Sequence, residues 1–140
     1  MISVEQLIAE ARAAREKAYA PYSNFKVGAA VLTRDGNIYH GCNIENASYG
    51  LTNCAERTAF FSAIADGCKP GDFAQIAVVG DTEGPVSPCG ACRQVILELG
   101  GGDLVVILAN LENAVDISSP TALLPGAFSN ADLSSAADVS

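Results

Sequence analysis

The chain has 140 residues, 49% of them hydrophobic, which is enough for one compact core and too few for two ordinary domains. Eight Lys and Arg against sixteen Asp and Glu give a formal charge of -8 with no basic cluster, which argues against a nucleic-acid partner. The N-terminal stretch carries charges where a secretory leader would be apolar, no apolar run is long enough for a bilayer, and five cysteines are an odd number for a disulfide framework; a cytoplasmic protein with metal-binding thiols and no membrane partner is expected.

Ser3 reads as an N-cap, and Val4, Leu7, Ile8, Ala11 and Ala14 recur at helical spacing until Pro21, so the first element is an amphipathic helix. Residues 27–32 and 37–43 are strand-like runs joined by Arg34-Asp35-Gly36, whose Asp-Gly pair suits a hairpin turn. Asn53 is placed to cap a second helix over residues 54–65, closed by Asp66-Gly67. Residues 75–80 then form a nearly all-apolar strand of the kind found in sheet centres. Ser87-Pro88 precedes a third helix over residues 89–99, stopped by Gly100-Gly101-Gly102, and residues 104–109 supply a fourth strand. This order predicts a three-layer α/β/α sandwich, a mixed sheet with helices on both faces, in a single domain spanning residues 1–128. Residues 129–140, built from Ser, Ala and Asp, have little to bury and are predicted to be a disordered tail.

Cys54 and Glu56 open the second helix, and Cys89 and Cys92 open the third. Cys89 and Cys92 are three residues apart and share a helix face; Cys54 meets them if the two helix starts converge. Helix N-termini favour thiolate over thiol, and three thiolates suit a zinc site that keeps one position for water, whereas a structural site takes four protein ligands. Glu56, two residues after Cys54, falls beside the metal rather than on it and is placed to shuttle protons to and from that water. Three thiolates around a divalent cation leave a net negative charge that calls for cations nearby. Arg57 and Arg93, two of only five arginines, adjoin the motif and are expected to bond the cysteine sulfurs.

Cys-Ala-Glu-Arg with Pro-Cys-x-x-Cys resembles the small, single-domain cytidine deaminases of nucleoside salvage. The likeness runs from about Tyr22 to Phe128 through Asn-Phe-Lys-Val-Gly-Ala-Ala, Cys-Asn-Ile-Glu-Asn-Ala-Ser-Tyr and Leu-Leu-Pro-Gly-Ala-Phe. The resemblance implies a sandwich around a mixed five-stranded sheet, and hydrolytic deamination of cytidine and deoxycytidine by zinc-activated water, the chemistry of zinc deaminases generally. It implies one zinc ion per subunit on Cys54, Cys89 and Cys92, Glu56 as general acid and base, and contact of the Ala55 backbone with the base. It also implies that Asn43 and Glu45 hold the sugar hydroxyls and that Phe25 and Phe128 enclose the ring. In the family's homotetramer, Ala47, Tyr49 and Phe128 would reach a neighbouring subunit's site.

Other readings of the same residues stand beside these. A lone CxxC is equally a redox pair, and a zinc-stabilised binding module would need a fourth ligand, for which His40 is the sole histidine. Cys42 and Cys68 read as small buried hydrophobes. Phe25 and Phe128 taken alone could be core aromatics, and Asn43 and Glu45 turn-forming residues. Among substrates, the acidic balance disfavours polynucleotides, and Glu45 disfavours a nucleotide phosphate.

Overall fold

The computed structural model describes residues 2–133. Helix α1, Val4–Arg15, starts with a complete capping box: Ser3 Oγ accepts from the Gln6 N–H at 3.2 Å, and Gln6 Oε1 accepts from the Ser3 N–H at 2.7 Å. It stops at Arg15, short of Pro21, and the chain turns so that the Tyr19 N–H donates to the Asn43 carbonyl at 3.0 Å. Strands β1, Val27–Thr33, and β2, Ile38–Cys42, form the expected hairpin, with Gly36 in the left-handed conformation (φ 93°) that its turn requires.

Helix α2 is Ala55–Ala65, and its N-cap is Cys54, with φ −78° and ψ 158°, rather than Asn53. Asn53 instead donates from Nδ2 to Thr58 Oγ1 at 3.0 Å, and the sulfur is left at the mouth of the helix. Strand β3, Phe73–Gly80, leads through a loop to α3, Gly90–Val95, N-capped by Cys89. The same helix widens to π geometry over Ile96–Gly100 and is ended by Gly101 at φ 83°. Strands β4, Val105–Asn110, and β5, Val115–Ser118, follow, and then the short α4, Pro120–Leu123, which Ser119 caps from the side chain. Residues 130–133 make a helical turn at the start of the expected tail; residues 134–140 lie outside the described residues.

The sheet order is β2-β1-β3-β4-β5, antiparallel throughout except for the parallel β3–β4 pair that α3 connects. Strand alternation sends neighbouring residues to opposite faces. On one face, Leu7 and Ala11 of α1 pack with Ala30, Leu32, Ala77, Val79 and Ile107. On the other, Ala59, Phe60 and Ala63 of α2 and Ile96 pack with Val31, Ile76, Val78 and Val106. The three-layer α/β/α sandwich around a mixed five-stranded sheet is therefore the observed fold.

Two glycines let the helices seat directly on the sheet. A Cβ on Gly28 would fall 2.0 Å from the Ala11 carbonyl oxygen, and one on Gly41 would fall 2.3 Å from the Ala55 carbonyl oxygen. The second contact fixes the first turn of α2, next to Cys54. Among the described residues no helix is long and apolar enough to cross a membrane.

Candidate active site

Cys54 and Cys89 occupy the N-cap positions of two helices, where Ser, Thr, Asp or Asn would ordinarily stand. Cys89 keeps a capping bond, its Sγ accepting from the Cys92 N–H at 3.4 Å, whereas Cys54 caps nothing with its side chain. The sulfurs of Cys54, Cys89 and Cys92 all lie within 4.8 Å of one another, with Cys54–Cys89 at 3.8 Å and Cys89–Cys92 at 3.2 Å. Metal–sulfur bonds of about 2.3 Å in a tetrahedron set sulfurs roughly 3.8 Å apart, so the trio fits zinc. Among the described residues no further His, Cys, Asp or Glu joins the group.

The electrostatics of the trio point the same way. A hydrogen bond with Cys92, helped by Arg57 and Cys89, lowers Cys54 to about 5 against the opposing effect of burial. That same bond, burial and the charge of Glu56 push Cys92 upward. Three thiolates this close coexist only around a cation, since like charges at such range raise one another's pKa.

Glu56, the second residue of α2, is only 4% exposed. Burial is the main cause that raises its pKa, with the Cys54 charge adding to it. A buried carboxyl raised in this way accepts and releases a proton closer to neutrality than an ordinary one. Arg57 Nη2 donates to Cys54 Sγ at 3.3 Å, as expected.

Arg93 is a correction. Its Nε donates to the Pro88 carbonyl at 2.9 Å, Nη1 to the Leu123 carbonyl at 2.7 Å and Nη2 to Ser87 Oγ at 2.7 Å, with no cysteine sulfur among its partners. It closes the loop that carries Cys89 and ties it to α4.

The segment 43–45 is held beside Cys54 by backbone pairing. Ile44 and Asn53 exchange both N–H···O bonds at 2.9 Å, and the Glu45 N–H donates to the Tyr19 carbonyl at 2.8 Å. Buried Asn43 accepts from the Val27 N–H on Oδ1 and donates from Nδ2 to the Phe25 carbonyl. Glu45 accepts from the Tyr22 and Ser23 N–H groups and from the Ser23 hydroxyl. A cleft of about 440 Å³ opens here, lined by Tyr22, Ser23, Glu45, Tyr49 and Thr52.

Phe25, 40% exposed, reaches over Gly80, where a Cβ would sit 3.3 Å from its Cζ, and Val86 touches the same spot. Ala55 is buried in the core, with its N–H in the first turn of α2. Ala47, Tyr49 and Phe128 are exposed and lie outside the cysteine cluster; the Tyr49 ring meets that of Tyr22 edge-on at 6.3 Å. His40 pairs with Glu10 at 3.6 Å and does not join the cluster. Cys68 packs against the core. Two residues in the site's surroundings were not singled out by sequence reasoning: Ser23, whose hydroxyl engages Glu45, and Gln94, whose Nε2 donates to the Phe128 carbonyl at 2.8 Å. Each stands inside or directly beside a motif read for other residues, and that adjacency was the available signal.

The family described as the cytidine and deoxycytidylate deaminase zinc-binding region matches residues 1–108. A cytidine deaminase of Sporosarcina psychrophila is 61% identical over 98% of this chain and 99% of its own length. One of Halalkalibacterium halodurans is 56% identical over 92% and 96%. The crystal structure of a cytidine deaminase from Burkholderia pseudomallei superposes with a TM-score of 0.90 at 64% identity, covering 91% of this chain and all of that one. With its three-cysteine cluster and its fold alike, the chain belongs to the zinc-dependent cytidine deaminase family.

Proposed function

We propose that this chain deaminates free cytidine and deoxycytidine by hydrolysis, giving uridine or deoxyuridine and ammonia, with Cys54, Cys89 and Cys92 holding one zinc ion per subunit. The observation that carries it is the meeting of three sulfurs at two helix starts, with no fourth ligand among the described residues and a buried carboxyl two residues after Cys54. Zinc supplies a water whose pKa is brought to about 7. Glu56 is placed to carry one proton to the ring nitrogen and a second, given up by the attacking oxygen once it has bonded to the ring carbon, to the amine, which would leave as ammonia. Its raised pKa suits both directions of transfer.

Asn43 and Glu45 hold the sugar. Glu45 stays ionised to low pH and accepts from vicinal hydroxyls; the Ser23 hydroxyl already marks that direction. Phe25 and Phe128 enclose the ring, and the Ala55 N–H faces the base. Tyr49 is 76% exposed and Phe128 60% exposed, which supports a homotetramer in which Ala47, Tyr49 and Phe128 serve a neighbour's site. The charge of -8 and the position of Glu45 support a free nucleoside over a nucleotide or polynucleotide. Five free thiols support the reducing cytoplasm as the compartment.

The test is the Glu56→Gln variant. It should keep fold and bound zinc and lose cytidine turnover, followed as loss of cytidine absorbance, while wild type should prefer cytidine to CMP. Retained turnover would reject Glu56 as the proton carrier, and a preference for CMP would reject the nucleoside assignment.

A further inference from the structure

We infer that Gln94 is a positioning residue for nucleoside binding, because with Arg93 it forms a clamp that fixes the arm carrying Phe128. This rests on the assignment of Phe128 as a ring contact.

The clamp begins where the cysteine motif ends. Arg93 and Gln94 follow Cys92 directly, and each ties the third helix to the C-terminal arm. Arg93 Nη1 holds the Leu123 carbonyl at 2.7 Å, and Gln94 Nε2 holds the Phe128 carbonyl at 2.8 Å. The remaining guanidinium donors, on Pro88 and Ser87, lock Arg93 to the loop that precedes Cys89. The arm is thus referenced to the same segment that presents two of the three cysteines.

The two ties are unequal. Leu123 has other anchorage: it ends a capped helical turn and packs against the core. Beyond it the chain passes Gly126 in a left-handed conformation (φ 65°), and among the described residues 125–128 make no backbone–backbone hydrogen bond. The Phe128 side chain is largely in solvent and gains little from packing. Within the chain its placement therefore depends on the Gln94 amide, which presets the arm's tip for the neighbouring site that receives Phe128; loss of that bond frees the tip and leaves the root attached.

The experiment compares steady-state kinetics with cytidine, zinc content, melting temperature and calorimetric binding of uridine in the zinc-loaded protein. Gln94→Met, equal in reach but without a donor, should raise KM and weaken uridine binding about threefold to tenfold, the range expected for one net hydrogen bond, with kcat, zinc and Tm unchanged. Gln94→Lys, which restores a donor of similar reach, should recover most of the KM. In a Phe128→Ala background, Gln94→Met should add nothing. An unaltered KM in Gln94→Met beside a raised one in Phe128→Ala would overturn the clamp alone. A penalty that persists without Phe128, or one accompanied by loss of zinc or of Tm, would overturn it as well. An unaltered KM in Phe128→Ala would remove the ring contact and the clamp together.

Discussion

Glu45 keeps its charge for local reasons. The Ser23 hydroxyl first, and the Ser23 and Tyr22 N–H groups after it, hold its carboxyl below the usual carboxylate range although burial opposes them. Because the folded value is depressed, the contact stabilises the loop above the ordinary Glu value of about 4.3 and is lost as pH falls through the lower folded value. A carbon-13 NMR titration should place the Glu45 midpoint below about 4.3, and Ser23→Ala should move it upward; no movement would mean the hydroxyl is not the cause. Arg57→Ala should weaken zinc binding roughly tenfold to a hundredfold in competition with a chromogenic chelator, the usual cost of losing a group that orients a ligand. Unchanged zinc affinity and turnover at neutral pH would end that assignment. Charge balance alone pointed to Arg57 and Arg93 equally, and geometry separates them. Arg57 stands three residues beyond Cys54, on the same helix face, whereas Arg93 directly follows Cys92 and is turned about 100° away. The cysteines and Glu56 were legible because ligand chemistry fixes their type and spacing; Ser23 and Gln94 were not, since either could have faced water.

At the scale of elements, periodicity announced every α-helix and strand up to Asn110, though not the 3-10 turn Tyr49–Leu51, and misplaced their ends. Ends are set by capping, and cysteine is a poor signal for a cap; this is why Asn53 looked the better candidate at α2 and why α3 looked one residue longer at its start. Strand β5 was missed although Val115-Asp116-Ile117-Ser118 alternates apolar and polar, because the run is only four residues long and three of them are exposed at the sheet edge. The seating of helices on glycines gives a differential prediction. Gly41→Ala pushes the first turn of α2 off the sheet, so melting temperature and zinc content should fall together. Gly28→Ala crowds Ala11 and Arg15 on the far face, so stability should drop by about 1–3 kcal/mol or more while the folded fraction still binds zinc. Equal zinc loss in both variants would show that Gly41 has no special link to Cys54.

At the scale of the molecule, Tyr49, Leu51, Phe61 and Phe128 are exposed, apolar side chains that the proposed homotetramer would cover. Sedimentation at micromolar concentration should give four times the 14.4 kDa chain mass, and a fully active species of one chain mass would count against shared sites. The parallel β3–β4 pair carries a consequence for the metal site. All three sulfurs precede β4 in the chain, whereas β4 completes the parallel pair that α3 connects. A chain truncated before Val105 would keep every sulfur and lose that pair, so its zinc content against that of the full chain measures how far a strand without ligands helps to hold the site.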